Sequence, residues 1–214
     1  MIYSLNEIEA LARKAARGGG MSWGLAEETG KAVRWLSENG LPGPRLLVDL
    51  LRLNDGTAYA DLAPRQADGI WRARSGLLCP IIAGALICDR ADELTAGEGL
   101  RLGEVAVPLL LAPFASAAAR SAGVAVALEW RGVSLLLDGG TLKADGNEAA
   151  LLATRTETAG LFQTDAGASR PVRTGTGRHV TFETLNALES FALRTCAPAT
   201  EASRAGAGAR QETD

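Results

Sequence analysis

Helix-forming patterns hold the two ends of this chain, and short apolar runs separated by turn residues hold its middle. That segregation favours helices packed on an antiparallel sheet over an alternating, doubly wound fold. Ser4-Leu5-Asn6-Glu7 reads as a capping box, after which Leu5, Ile8, Leu11, Ala12 and Ala15 form one apolar stripe. Gly18-Gly19-Gly20 ends that helix, and Ser22 caps a second running to about Glu38. Asn39-Gly40, then Pro42 and Pro44, stop it, and a third helix is expected over 45–53. Near the other end, Thr181 caps a helix through about Arg194 with Phe182, Leu185, Leu188 and Phe191 or Ala192 on its apolar face.

Between these lie Ile81–Cys88, Glu104–Leu111, Val124–Trp130 and Val133–Asp138, all expected as strands. The last two form a hairpin turning at Arg131-Gly132. Leu151–Thr158 and Leu161–Thr164 are expected to add one or two more, and periodicity leaves Ala115–Ser121 open as a short helix. The expected architecture is one α+β domain over residues 1–204, with helices at both ends packed on a central, mainly antiparallel sheet. Residues 205–214, rich in Gly and Ala, read as a flexible tail.

Composition narrows the function classes. The 214 residues are 47% hydrophobic and 22% charged, which is ordinary globular usage. A net charge of −3 and only 5% aromatics argue against a nucleic-acid partner. Gly76–Cys88 and Val105–Ala119 are the longest apolar runs, both shorter than the roughly 18–20 residues that span a bilayer. Three cysteines, Cys79, Cys88 and Cys196, have no CxxC spacing and no secretory signal before them, so a reducing cytoplasm is expected.

Several chemistries are disfavoured. His179 is the sole histidine, there is no HExxH, and no metal site is expected. His179 and Cys196 would stand about 25 Å apart at opposite ends of one helix, too far for an intrachain dyad. Gly97-Glu98-Gly99 is followed by Gly103 and preceded by an acidic segment, against the strand–turn–helix order of a dinucleotide loop. No cofactor can be named from the sequence.

Two stretches carry usable chemistry. Arg170, Arg173, Thr174, Gly175, Thr176, Gly177, Arg178 and His179 lead into the helix capped by Thr181. Arginine forks, hydroxyls and glycine backbone there suit a carboxylate or phosphate; the alternative is a solvated basic loop. The start of the second helix places Trp23, Glu27 and Gly30 on one face, with Arg34 following. Glu27 beside Trp23 is a candidate for proton transfer, against the simpler reading of acids offsetting a helix dipole and a tryptophan in the core. Gly30 inside a helix points to close packing or a ligand. The Thr195–Ala209 segment offers polar groups before the Gly-Ala tail, equally readable as a final turn.

The motifs Ser4-Leu5-Asn6-Glu7, Ser22-Trp23-Gly24-Leu25-Ala26-Glu27-Glu28 and Ala197-Pro198-Ala199-Thr200-Glu201-Ala202-Ser203-Arg204, followed by Gly206-Ala207-Gly208, resemble those of an uncharacterised bacterial family known only as a domain of unknown function. The resemblance implies a free-standing bacterial protein and assigns no activity. The ending Gln211-Glu212-Thr213-Asp214 differs from the Asp-rich ending associated with that family. Two functional expectations follow. One is a small-molecule enzyme or enzyme accessory taking an anionic small molecule at Arg173 and Arg178, with Glu27 moving the proton. The other is a noncatalytic homo-oligomer or partner-docking protein.

Overall fold

The computed structural model describes residues 1–96, 99–140, 142–165 and 178–195. Three helices open the chain: α1 (Leu5–Gly18), α2 (Trp23–Glu38) and α3 (Gly43–Asn54). The capping box forms as expected, with Ser4 Oγ accepting from Glu7 N at 3.2 Å and Glu7 Oε2 accepting from Ser4 N at 2.8 Å. Pro44 sits in the first turn of α3, where no intrahelical N–H is lost, so α3 starts two residues earlier than expected. A short helix, α4 (Tyr59–Leu62), leads into a small hairpin, β1 (Arg65–Ala67) and β2 (Ile70–Arg72).

The middle then departs from expectation. Ile81–Cys88 is not a strand but the body of α5 (Pro80–Asp89). An eight-residue apolar run has no period that separates a buried strand from a buried helix. Here Pro80 starts a helix packed against α2 and α6 (Ala112–Ala122). Gly84 has no side chain because the Phe114 ring fills that space, 2.3 Å from where a Cβ would lie. In the expected strand Glu104–Leu111 only Val105–Ala106 pairs, as β4, after β3 (Leu100–Leu102). Pro108 brings no N–H to a ladder, so the chain turns into a 3-10 helix, Pro108–Leu111, and then α6.

The expected hairpin forms from β5 (Ala125–Trp130) and β6 (Val133–Leu137), in register from Val126 opposite Leu137 to Trp130 opposite Val133. Gly132, at φ 78, supplies the left-handed turn residue. β7 (Leu142–Gly146) extends it. The expected strand Leu151–Thr158 is instead α7 (Glu148–Leu151), capped by Asn147, and the two-residue β8 (Arg155–Thr156). β9 (Ala159–Thr164) lies between β3 and β5, and α8 (Phe182–Leu193) follows the Thr181 cap.

The seven-stranded sheet has the order β1-β2-β3-β9-β5-β6-β7, antiparallel except for β2 beside β3. β4 and β8 form a separate antiparallel pair. Helices at both ends packed with a mainly antiparallel sheet make the architecture α+β, as expected. Buried side chains run continuously from Ile8 in α1 through the sheet to Phe191 in α8.

α8 runs alongside α1 in the same sense. Tyr3 N donates to Arg178 O at 3.1 Å before α8 begins, and Gly18 meets Phe191 near its end. It also lies against α3, whose C-cap Asp55 pairs with Arg194. The two ends of α8 therefore open onto two different clefts.

Candidate functional site

At the carboxyl end of α8, a groove of about 630 Å³ is lined by Arg13, Lys14, Arg17, Trp23, Glu27, Arg194 and Thr195. Three helices build it. Arg13, Lys14 and Arg17 stand on the polar face of α1 in its last turns, where cations offset the carboxyl end of the helix dipole. Trp23 and Glu27 come from the first turns of α2. Gly30 lets α2 approach, because a Cβ there would lie 3.0 Å from Glu9 O and 3.3 Å from Arg13 Cβ. Close packing, rather than a ligand, therefore explains that glycine.

The guanidinium of Arg17 lies over the Trp23 ring, 4.5 Å from its centroid, and donates from Nη1 to Met21 O. Its Nε is buried with no hydrogen-bond partner among the described residues. Trp23 is 69% exposed, so it forms a wall of the groove rather than a core anchor. Arg194 stacks over Phe191 at 4.2 Å and grips Asp55 through two bonds of 2.6 and 3.1 Å. That grip holds the Asp55 carboxyl below its ordinary pKa. Arg13 and Lys14 make no ion pair among the described residues. Four cations against Glu27 and Asp55 leave positive charge in excess.

A second cleft of about 390 Å³ lies at the other end of α8, between α3 and the Thr181 cap. Arg45, Asp49 and Arg52 line it from α3, and His179, Thr181, Glu183 and Thr184 from the start of α8. Asp49 Oδ2 is 3.7 Å from Arg45 Nε, an ion pair too long for a hydrogen bond, and is buried with no hydrogen-bond partner among the described residues. Burial raises the Asp49 pKa, while the charges of Arg45 and Arg52 partly oppose that shift.

The residues singled out in the sequence thus fall into three groups. Trp23 and Glu27 share the first groove. His179 is exposed, pairs its backbone with Ile2 and opens onto the second cleft, while Arg178 donates from Nε to Tyr3 O at 3.2 Å. Arg170, Arg173, Thr174, Gly175, Thr176 and Gly177 lie outside the described residues, as do Cys196 and the rest of the Thr195–Ala209 segment after Thr195. The twelve residues of α8, about 18 Å of helix, separate His179 from Glu27.

Sequence reasoning passed over Arg13, Lys14 and Arg17, whose one signal was a basic end to the first helix. It had no means of finding Arg45, Asp49 and Arg52, which read as the polar face of a surface helix.

Among the described residues no group of three or more His, Cys, Asp or Glu side chains could hold a metal ion. Nor is any helix there long and apolar enough to cross a membrane. No curated protein matches the chain. Residues 3–77, from Tyr3 through the three opening helices and the β1–β2 hairpin to Leu77, match the model of a family described as a protein of unknown function (DUF3726), a likeness over about a third of the chain.

Proposed function

We propose that this chain binds a carboxylate- or phosphate-bearing small molecule in the groove at the carboxyl end of α8, as an enzyme or an accessory to one. The carrying observation is the convergence of Arg13, Lys14, Arg17 and Arg194 beside an exposed tryptophan, with Glu27 the only carboxylate in the lining among the described residues. Arg13 and Lys14 take the oxyanion, because Arg17 and Arg194 already donate to Met21 O and Asp55. Trp23 offers a flat apolar surface to the rest of the ligand, and Glu27 stands within the same lining for proton transfer. Cysteine usage supports a cytoplasmic setting, and the family resemblance a bacterial one.

The test is calorimetry and thermal shift of the full chain with inorganic phosphate, citrate and sugar phosphates. A charge-assisted bond contributes roughly 1.5–3 kcal/mol, so Arg13→Ala should weaken binding by about ten- to a hundredfold. An unchanged affinity in Arg13→Ala and Lys14→Ala would rule out this groove.

The second reading is a docking or self-assembling protein. Met1, Ile2 and Phe182 are exposed apolar residues flanking the pairing of residues 1–3 with 178–180. Its measure is the molar mass in solution, and a strict monomer with a ligand-induced thermal shift would decide for the first reading.

A further inference from the structure

The cleft between α3 and the start of α8 has a different character from the basic groove. Arg45 and Arg52 bring two positive charges, and Asp49 and Glu183 two negative ones. Among the described residues these four form one ion pair, the 3.7 Å contact of Arg45 with Asp49. Arg52 and Glu183 form none. Arg52 and Glu183, and the buried Asp49 Oδ2 that the long Arg45 contact leaves without a hydrogen bond, keep pairing capacity for whatever occupies the cavity. Val48 and Val180 add buried apolar wall, and the volume of about 390 Å³ falls in the range of small-molecule sites.

We propose that this cleft binds an aliphatic amino-acid zwitterion, its carboxylate held by Arg45 and Arg52, its ammonium by Asp49 and Glu183, and its side chain against Val48 and Val180. A ligand of zero net charge carrying both signs matches a lining of zero net charge carrying both signs. A guanidinium fork suits the carboxylate. Asp49 Oδ2, buried without a hydrogen-bond partner among the described residues, is an acceptor that an ammonium satisfies. The site is separate from the basic groove and does not depend on the function proposed there.

The experiment is isothermal calorimetry of the full chain with three probes: L-leucine, L-leucinamide, which lacks the carboxylate, and isocaproate, which lacks the ammonium. L-Leucine should bind at least about tenfold more tightly than either analogue, and Arg52→Ala and Asp49→Asn should each weaken it by about tenfold or more. Arg13→Ala, in the other groove, should leave it unchanged. Thermal melts of each variant separate lost binding from lost folding, and Glu183→Gln, at an exposed position, gives a second test of the ammonium side. No heat with L-leucine, equal binding of either analogue, or loss of binding in Arg13→Ala would overturn the proposal.

Discussion

A Cβ built on Gly18 would lie 1.6 Å from the carbonyl oxygen of Phe191, so α1 and α8 meet backbone to backbone at that point. The contact fixes the end of α8 against the end of α1, and with it the position of Arg194 beside Arg17. Gly18→Ala must push the helices apart, at a cost of about 1–3 kcal/mol or more. Gly24→Ala is the control, since a Cβ there meets nothing within 4 Å, and it should be neutral or stabilising by up to about 1 kcal/mol. Urea unfolding of both variants checks this, and equal midpoints would show that the contact is not close.

Asp49 and Asp55 should respond to pH in opposite directions. Burial raises the folded-state pKa of Asp49, so the folded chain binds that proton more tightly and stability falls as pH rises from the unfolded value through the folded one. Asp49→Asn should therefore be more stable than the parent at neutral pH, with the difference vanishing in acid. The Asp55 pKa is lowered by Arg194, so its contribution is present above the unfolded value and disappears as pH falls through the folded one. Asp55→Asn should lose a little stability at neutral pH and none in acid. Melting curves from acid to neutral pH would contradict this assignment if the two variants moved together.

Trp23, stacked under Arg17, should report on occupancy of the groove. The chain has four tryptophans, and Trp23 is the most exposed of them. Saturating anion should change the emission of the parent protein, whereas Trp23→Phe should retain binding by calorimetry and lose most of the optical change. Added salt should weaken the interaction, because exposed charges are screened. An optical change that persists in Trp23→Phe would place the anion elsewhere.

Thiol reactivity should separate the two described cysteines. Cys79 is fully buried, which pushes its thiol well up. Cys88 is half-buried, donates to Phe114 O at 3.5 Å, and is pushed up to about 11. Thiolate is the reactive form, so alkylation of the native chain near neutral pH should leave Cys79 unmodified and Cys88 slow, and denaturant should expose both. Peptide mapping by mass spectrometry reads this directly; rapid labelling of Cys79 in the native state would contradict its burial.

The parts legible from the residues were those whose signal is local. Ser4 with Glu7, Ser22 and Thr181 each announce a helix start through a bond to backbone three residues on, and all three caps form. Arg131-Gly132 announced its hairpin in the same way. Ile81–Cys88 failed because an apolar run buried on every side has no period to read. Leu151–Thr158 pairs only at Arg155–Thr156, because the one-turn helix that Asn147 caps runs to Leu151 and takes the start of the expected strand. Trp23 and Glu27 were found as neighbours on one helix face, whereas the pairing of Trp23 with Arg17 and the approach of Arg194 depend on three helices meeting.

The sequence by itself determined the caps, the glycine stops, the central hairpin and the α+β class, because each rests on bonds or turn conformations spanning a few residues. Only the tertiary structure decided where the charges gather. Arg17 and Arg194 are 177 positions apart and come together because Gly18 lets α8 reach the backbone of α1. The same alignment sets His179 at the far end of α8, in the lining of a second cleft that also holds Asp49 and that no local pattern announces.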